Sequence, residues 1–171
     1  MGVNLSESTI FGKYNKLEMA KKSAGILMYR FLEEKLEIFL VHPGGPIWKN
    51  KDQGAWSIPK GEFEDEDPLQ AAKREFFEET GMSVEGEFKA LTPVTQKNGK
   101  RVYAWATEGN VDPEKIKSNE FEMEWPPKSG RRAKFPEIDK AGWFPADVAL
   151  RKINSGQAAI IRELAQILGV S

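Results

Sequence analysis

The chain has no cysteine and a single histidine, His42, among its 171 residues. Without thiols there can be no disulfide, no cysteine-ligated zinc or iron–sulfur centre and no cysteine nucleophile, and one histidine cannot build a histidine metal cage. No apolar run approaches the roughly 20 residues of a membrane-spanning helix. Neither sign of charge dominates: 25 Lys and Arg against 26 Asp and Glu leave a formal net charge of −1. Composition therefore gives no case for a nucleic-acid polymer or a membrane as partner, and any partner must be argued from a local cluster. The N-terminus lacks the charged-then-apolar layout of a secretory signal, and no repeat, low-complexity tract or dividing linker is visible. These absences point to a soluble, cytoplasmic protein. A polar leader over 1–22 is expected to precede one domain over 23–171.

Within that domain, Ser23–Phe31 and Lys35–His42 read as two strands of a hairpin. Pro43–Gly54 is a loop of turn residues and lysines around Trp48, and Ala55–Pro59 is a brief strand-like approach to the acidic stretch that begins after Lys60. Asp67 is a good N-cap, Pro68 suits the first helical position, and Gln70 completes a capping-box spacing. Leu69, Ala72 and Phe76 form a buried stripe, and Gly81 stops the helix. Val84–Leu91 and Arg101–Thr107 read as strands, with a turn at Asn98-Gly99. Glu120–Trp125 alternates strictly, Phe121, Met123 and Trp125 on one face and Glu120, Glu122 and Glu124 on the other. A short strand at Gly142–Phe144 and helices over Ala146–Ile153 and Gln157–Leu168 complete an α+β mixed sheet flanked by helices. Tyr103 and Trp105 alternate with Val102 and Ala104, so at least one of these pairs is expected in the core. His42, at a strand end, is expected to be structural.

Charge is concentrated in one place. From Glu62 to Glu79 there are eight acidic residues and two basic ones. Acids at the start of a helix suit its dipole, but Glu75, Glu78 and Glu79 stand at the end, where the dipole is already negative. At about 100° per residue these three fall within an arc of roughly 100° beside the buried stripe. One helix face thus offers three carboxylates to one point, a set suited to a hard, oxygen-preferring cation such as Mg²⁺ or Mn²⁺. A solvated acidic face is an equally good reading of the charge alone, because like-charge pairs four apart cost only about 0.2–0.5 kcal/mol.

The order of residues distinguishes the two. GEFEDEDPLQAAKREFFEETGM, Gly61–Met82, resembles the Nudix box of hydrolases acting on nucleoside diphosphates linked to another moiety. The second half matches throughout, from Arg74 and Glu75 through Glu78, Glu79 and Gly81 to Met82, and Glu66 lies eight residues before Arg74 as that pattern requires. Gly61 to Glu66 is one residue shorter than the family pattern, which bears on where Glu66 and the Gly61 carbonyl sit. The resemblance implies a Nudix-like α/β/α sandwich with a mixed β-sheet. It also implies Mg²⁺ (or Mn²⁺) held by Gly61, Glu75, Glu78 and Glu79, with Glu66 and Arg74 supporting the box. Its chemistry would be hydrolysis of a pyrophosphate bond, with one of the catalytic glutamates Glu75, Glu78 and Glu79, or a glutamate from another loop, as general base. Glu120, Glu122 and Glu124 are candidates for a further ligand, and a solvated strand face is as good a reading of them.

A nucleotide substrate needs cations for phosphate and aromatic faces for a base. Lys60, Arg131 and Arg132 are the candidate substrate-binding residues, the two arginines in an expected basic loop over Trp125–Glu137. Ile47–Trp56, with Lys49 and Lys51 between Trp48 and Trp56, is a second candidate rim. The Trp-x-x-Pro-Lys-Gly approach, Trp56 to Gly61, looks similar to that of dinucleoside polyphosphate hydrolases in the family, which makes diadenosine tetraphosphate the first substrate to consider. The alternative is an inactive Nudix-fold module for nucleotide sensing or protein interaction, for which the retained glutamates speak against and the shortened loop speaks for. A homodimer stays open.

Overall fold

A computed structural model describes residues 21–170. Most of the expected leader, 1–20, lies outside the described residues. The first strand, β1, runs over Lys22–Leu32 and turns through Glu33 and Glu34 into β2, Lys35–Pro43, its antiparallel neighbour. In β1, Ala24, Ile26 and Met28 point to one core cluster and Leu27 to another. β2 alternates likewise, Phe39 and Val41 to the first cluster and Leu36, Ile38 and Leu40 to the second. The hairpin is therefore covered on both sides, which explains why its sequence reads as near-continuous apolar runs.

The segment Lys60–Phe63 is a strand, β3, paired antiparallel with the first residues of β1. The sequence reading placed a loop there. The expected approach strand Ala55–Pro59 is only a pair of isolated bridges, Val41 to Ser57 and Trp56 to Ile153. The helix α1, Pro68–Thr80, follows its punctuation closely: the Asp67 side chain accepts from the Gln70 amide, and Gly81 ends the helix at φ 75°. Its Ala71, Ala72 and Phe76 are fully buried, Phe76 against Phe39.

The expected strand over Val84–Leu91 shrinks to β4, Lys89–Ala90, and a second two-residue strand, β5, Val94–Thr95, comes after it. Both pair with β6, Arg101–Glu108, which lies parallel to β1. Val102 and Ala104 are buried while Tyr103 and Trp105 are half-buried, so the small residues take the deeper face. β7, Glu120–Glu124, pairs with β8, Arg132–Pro136, in a separate two-stranded ribbon. β9, Ile138–Pro145, closes the main sheet on β2 and leads into α2, Ala146–Lys152, and α3, Ala158–Leu168. The sheet order is β4-β6-β1-β2-β9, with β3 beside β1 and β5 beside β6. The α1 side holds one cluster and the α2–α3 side the other, so the sheet is sandwiched between helices.

His42 is fully buried: its Nδ1 lies 2.8 Å from Asp139 and its Nε2 2.6 Å from the Lys51 carbonyl. It pins the Pro43–Gly54 loop to β9, a structural role. Because the Asp67 cap starts the helix that carries the acidic face, Asp67→Ala should lower stability by about 1 kcal/mol. A shift in the urea midpoint at unchanged slope is the expected result, and an unchanged midpoint would mean that the cap contributes nothing.

Candidate active site

The site is assembled where β3 meets α1. Pairing with β1 holds Lys60 and Gly61 opposite Gly25 and Ala24, and α1 lays its last two turns against this short strand. The fit at Gly61 is close: a Cβ there would lie 2.0 Å from the Glu75 carboxylate carbon. Only glycine lets the strand backbone and this carboxylate share the space. One turn on, the Lys60 backbone N–H donates to Glu79 Oε1 at 2.9 Å.

Arg74 organises the rest of the helix face. Its Nη1 donates to Glu75 Oε1 at 2.8 Å and to both Glu78 oxygens at 3.1 Å. Its Nε donates to Glu66 at 3.1 and 3.2 Å, and Nη2 bonds the same carboxylate. Glu66, in the turn between β3 and the Asp67 cap, thus reaches Arg74 despite the shortened loop. These bonds to carboxylates hold the guanidinium charge firmly.

A carboxylate from outside α1 and the turn before it joins them. Glu137, between β8 and β9, is tied through its backbone: its N–H donates to the Asn119 carbonyl at 2.8 Å and its carbonyl accepts from Gly44 N–H at 2.8 Å. No described residue donates to its side chain. Burial raises its pKa, and the Glu78 charge adds to the rise. Burial also raises Glu75, with Glu78 and Glu137 contributing and Arg74 opposing. Glu79 is pushed up to about 8, chiefly by burial, with Glu75 and Glu137 adding and the Lys60 amide and ammonium opposing. The Lys60 ammonium is lowered by burial, against the pull of Glu79. Each carboxylate makes its neighbours harder to ionise.

Among the described residues no three acidic side chains form a ready-made metal cage. Arg74 draws Glu66, Glu75 and Glu78 to itself, and Glu79 turns to the Lys60 amide. The donor set nevertheless fits a hard cation: all-oxygen, partly buried and mutually repelling, it lacks only positive charge at its centre.

Glu79, Glu137 and Lys60 open onto a cleft of about 280 Å³, with Lys100, Trp48 and Trp56 in its walls. Trp48 of the Ile47–Trp56 rim is in that wall, while Lys49 and Lys51 do not line it. A shallower apolar groove of about 260 Å³, with Ile47, Phe121 and Met123, shares Trp48 and Glu137 with the cleft. Arg131 and Arg132 line neither. The region expected as a basic loop is half strand: Arg131 lies in the exposed turn of the ribbon, and Arg132 opens β8 with its Nε 3.2 Å from Glu122. Cross-strand charge pairing thus occupies Arg132. Glu120, Glu122 and Glu124 all face outward. The extra carboxylate is Glu137, which the sequence reading passed over. Its only local signal is a lone acid between Pro136 and Ile138, and no spacing rule connects it to the box.

The family model described as NUDIX domain matches residues 19–164. The chain belongs to the Nudix family. Its mixed sheet and helices are those of the Nudix fold. A C. elegans Ap4A hydrolase, solved as a binary complex, is similar at 23% identity and TM-score 0.62, over 87% of this chain and 98% of that one. The NUDIX domain of Shewanella oneidensis NrtR, complexed with ADP ribose, is similar at 14% identity and TM-score 0.59, over 86% and 87%. A mutT/nudix family protein from Listeria innocua is similar at 18% identity and TM-score 0.56, over 87% and 94%. A search of curated proteins finds no match.

The raised Glu79 carboxyl predicts a pH signature. It titrates at about 8 when folded against an ordinary 4.5, so the folded state holds the extra proton between those values. The stability this group contributes is complete below about pH 4.5 and is lost as pH rises toward 8. In chelator, Glu79→Gln should melt above the wild type at pH 8, with the gap closing toward pH 5. A gap that widened as pH fell would contradict the assignment.

Proposed function

We propose that this Nudix protein is a divalent-cation-dependent hydrolase of a nucleoside polyphosphate, with a dinucleoside polyphosphate such as diadenosine tetraphosphate as its first candidate substrate. The observation that carries the reading is the convergence of Glu75, Glu78 and Glu79 from α1 with Glu137 from the β8–β9 junction, beside a cleft holding Lys60 and Lys100. Likeness in fold to a C. elegans Ap4A hydrolase supports the candidate substrate.

Glu75, Glu78 and Glu79 would hold Mg²⁺ or Mn²⁺, together with the Gly61 carbonyl. The ion, when bound, withdraws charge from phosphate oxygens and acidifies water. Gly61 keeps the strand close enough for the Glu75 carboxylate, and the Lys60 amide fixes the rotamer of Glu79. Arg74 and Glu66 hold the helix face in register. Lys60 offers charge to phosphate in the cleft, while Trp48 provides a flat apolar wall for a planar group; Trp56 is buried against His42 and Phe144. Glu137 is our candidate for the general base. Its carboxylate has no side-chain donor, and its raised pKa brings its proton affinity closer to neutral pH, where a base is effective. Glu79 keeps the ligand role, being fixed by the Lys60 amide.

A second reading has one observation in its favour: the similar NUDIX domain complexed with ADP ribose leaves room for a module that binds nucleotide without turnover. An assay of diadenosine polyphosphates, nucleoside triphosphates and nucleotide sugars, in Mg²⁺, Mn²⁺ or chelator, separates the two. The hydrolase reading predicts cation-dependent turnover abolished by Glu79→Gln. Nucleotide binding by calorimetry without turnover of any panel member would favour the sensing module. For the base, Glu137→Gln should lower kcat by about 10²–10⁴-fold with cation affinity retained; an unchanged kcat would remove Glu137 from the mechanism.

A further inference from the structure

The cleft carries four side-chain amides, Gln96, Asn98, Asn154 and Gln157, together with Lys60 and Lys100. The direction in which each amide points can be worked out from its partners. Gln157 is 1% exposed, and its Oε1 accepts from the Ile58 backbone N–H at 3.1 Å. A backbone N–H can only donate, so the oxygen end of Gln157 is fixed. Its amide nitrogen therefore donates to Ser57 Oγ at 3.0 Å and to Gln96 Oε1 at 2.9 Å. That in turn fixes Gln96, whose oxygen faces Gln157 and whose NH₂ is the free end. Gln96 is itself only 8% exposed, yet no described residue accepts from its amide nitrogen.

The same logic holds at the other two. Asn98 Oδ1 accepts from the Lys100 backbone N–H at 3.0 Å, and Asn154 Oδ1 accepts from the Gly156 backbone N–H at 2.9 Å. No described residue accepts from either amide nitrogen. Gln96, Asn98 and Asn154 are thus tied back by their oxygens, leaving the nitrogens as their unengaged ends; all three residues line the cleft and also a neighbouring pocket of about 250 Å³ with Gly54 and Ser155, and Asn98 is exposed. At Asn98 and Asn154 this polarity is local, each oxygen accepting from the backbone N–H two residues on, and at Gln96 it is set by the fold through Gln157. It leaves donors beside the Lys60 and Lys100 ammonium groups, the latter 2.9 Å from Glu62 Oε1.

A ligand that only accepts matches such a set of donors. A sugar hydroxyl both donates and accepts, and a base edge alternates the two, so either would leave these donors partly unmatched. Phosphate oxygens accept throughout and carry the charge that the lysines complement. We propose that Gln96, Asn98 and Asn154, with Lys100, form a subsite for phosphate oxygens beyond the scissile pyrophosphate, which selects substrates with a chain of three or more phosphates over those with two. The inference rests on the hydrolase reading for the position of the scissile bond. Gln157 is a positioning residue, acting through Gln96.

Calorimetry of the full chain in Mg²⁺ with inorganic tripolyphosphate and inorganic pyrophosphate as probes tests the subsite without turnover. Gln96→Glu and Asn98→Asp each keep the tied-back acceptor and replace the free donor with an acceptor, and Asn98→Leu removes the donor without adding charge. Wild type should bind tripolyphosphate more tightly than pyrophosphate. Each variant should lose about tenfold for tripolyphosphate, the size of one hydrogen bond to a charged group, with a much smaller change for pyrophosphate and, in the two Asn98 variants, an unchanged Tm. Equal losses for both probes, or a loss in Asn98→Asp without one in Asn98→Leu, would reduce the effect to charge repulsion and overturn the proposal. Unchanged tripolyphosphate binding in all variants would overturn it as well. If the probes behave as expected but no panel substrate is turned over, the subsite stands and the hydrolase reading fails.

Discussion

The hydrogen bond from the Lys60 backbone amide to the Glu79 carboxylate joins sheet to helix at the point where negative charge accumulates. Its geometry depends on β3 being drawn onto β1 and on Gly61 letting Glu75 lie against the strand. A partly buried carboxylate with two others nearby is costly to ionise, and the structure does not neutralise the group with a close cation pair at every position. Arg74 serves Glu66, Glu75 and Glu78, whereas Glu79 and Glu137 are left with protonation or an external cation as their remaining means of compensation. Stability is given up locally for a site that attracts positive charge, an arrangement that recurs where function sets the environment of a titratable group.

The cleft extends this logic on two sides. Toward α1 and β9 it presents acceptors, and toward the β5–β6 turn and the start of α3 it presents donors, of which Gln96 takes its orientation from the Ile58 amide through Gln157. A cation and a phosphate chain would each find the side that complements it. The apolar groove lies between the rim loop and the β7–β8 ribbon and meets the cleft at Trp48 and Glu137.

What could be read in the sequence was what depends on neighbours along the chain. Asp67, Pro68 and Gly81 act within one helical turn, and the period of Leu69, Ala72 and Phe76 reports the buried face directly. Glu75, Glu78 and Glu79 come together by the same periodicity. β3 could not be seen because Lys60–Phe63 becomes a strand only through pairing with β1, far earlier in the chain. Glu137 escaped for the same reason, since the closure of β9 on β2 brings it to the helix. The place of Arg132 on a strand is legible in alternation and not in the basic composition of Trp125–Glu137. In the register of the ribbon, Glu122 faces Lys134 and Glu124 faces Arg132, a complement that Glu120–Glu124 and Arg132–Pro136 carry in their own period of two. The free end of the Gln96 amide was invisible for a different reason, because it depends on Gln157, a partner that only the fold supplies.

The central claim is that the buried carboxylates are arranged for a cation. Calorimetric titration with Mg²⁺ at pH 7, in buffers of different ionisation enthalpy, tests it most directly by counting the protons released on binding. With Glu79 titrating at about 8, the account predicts release of about one proton per bound ion, because a ligating carboxylate must be deprotonated, and loss of that release in Glu79→Gln. Binding without proton release, or the same release in wild type and Glu79→Gln, would contradict it.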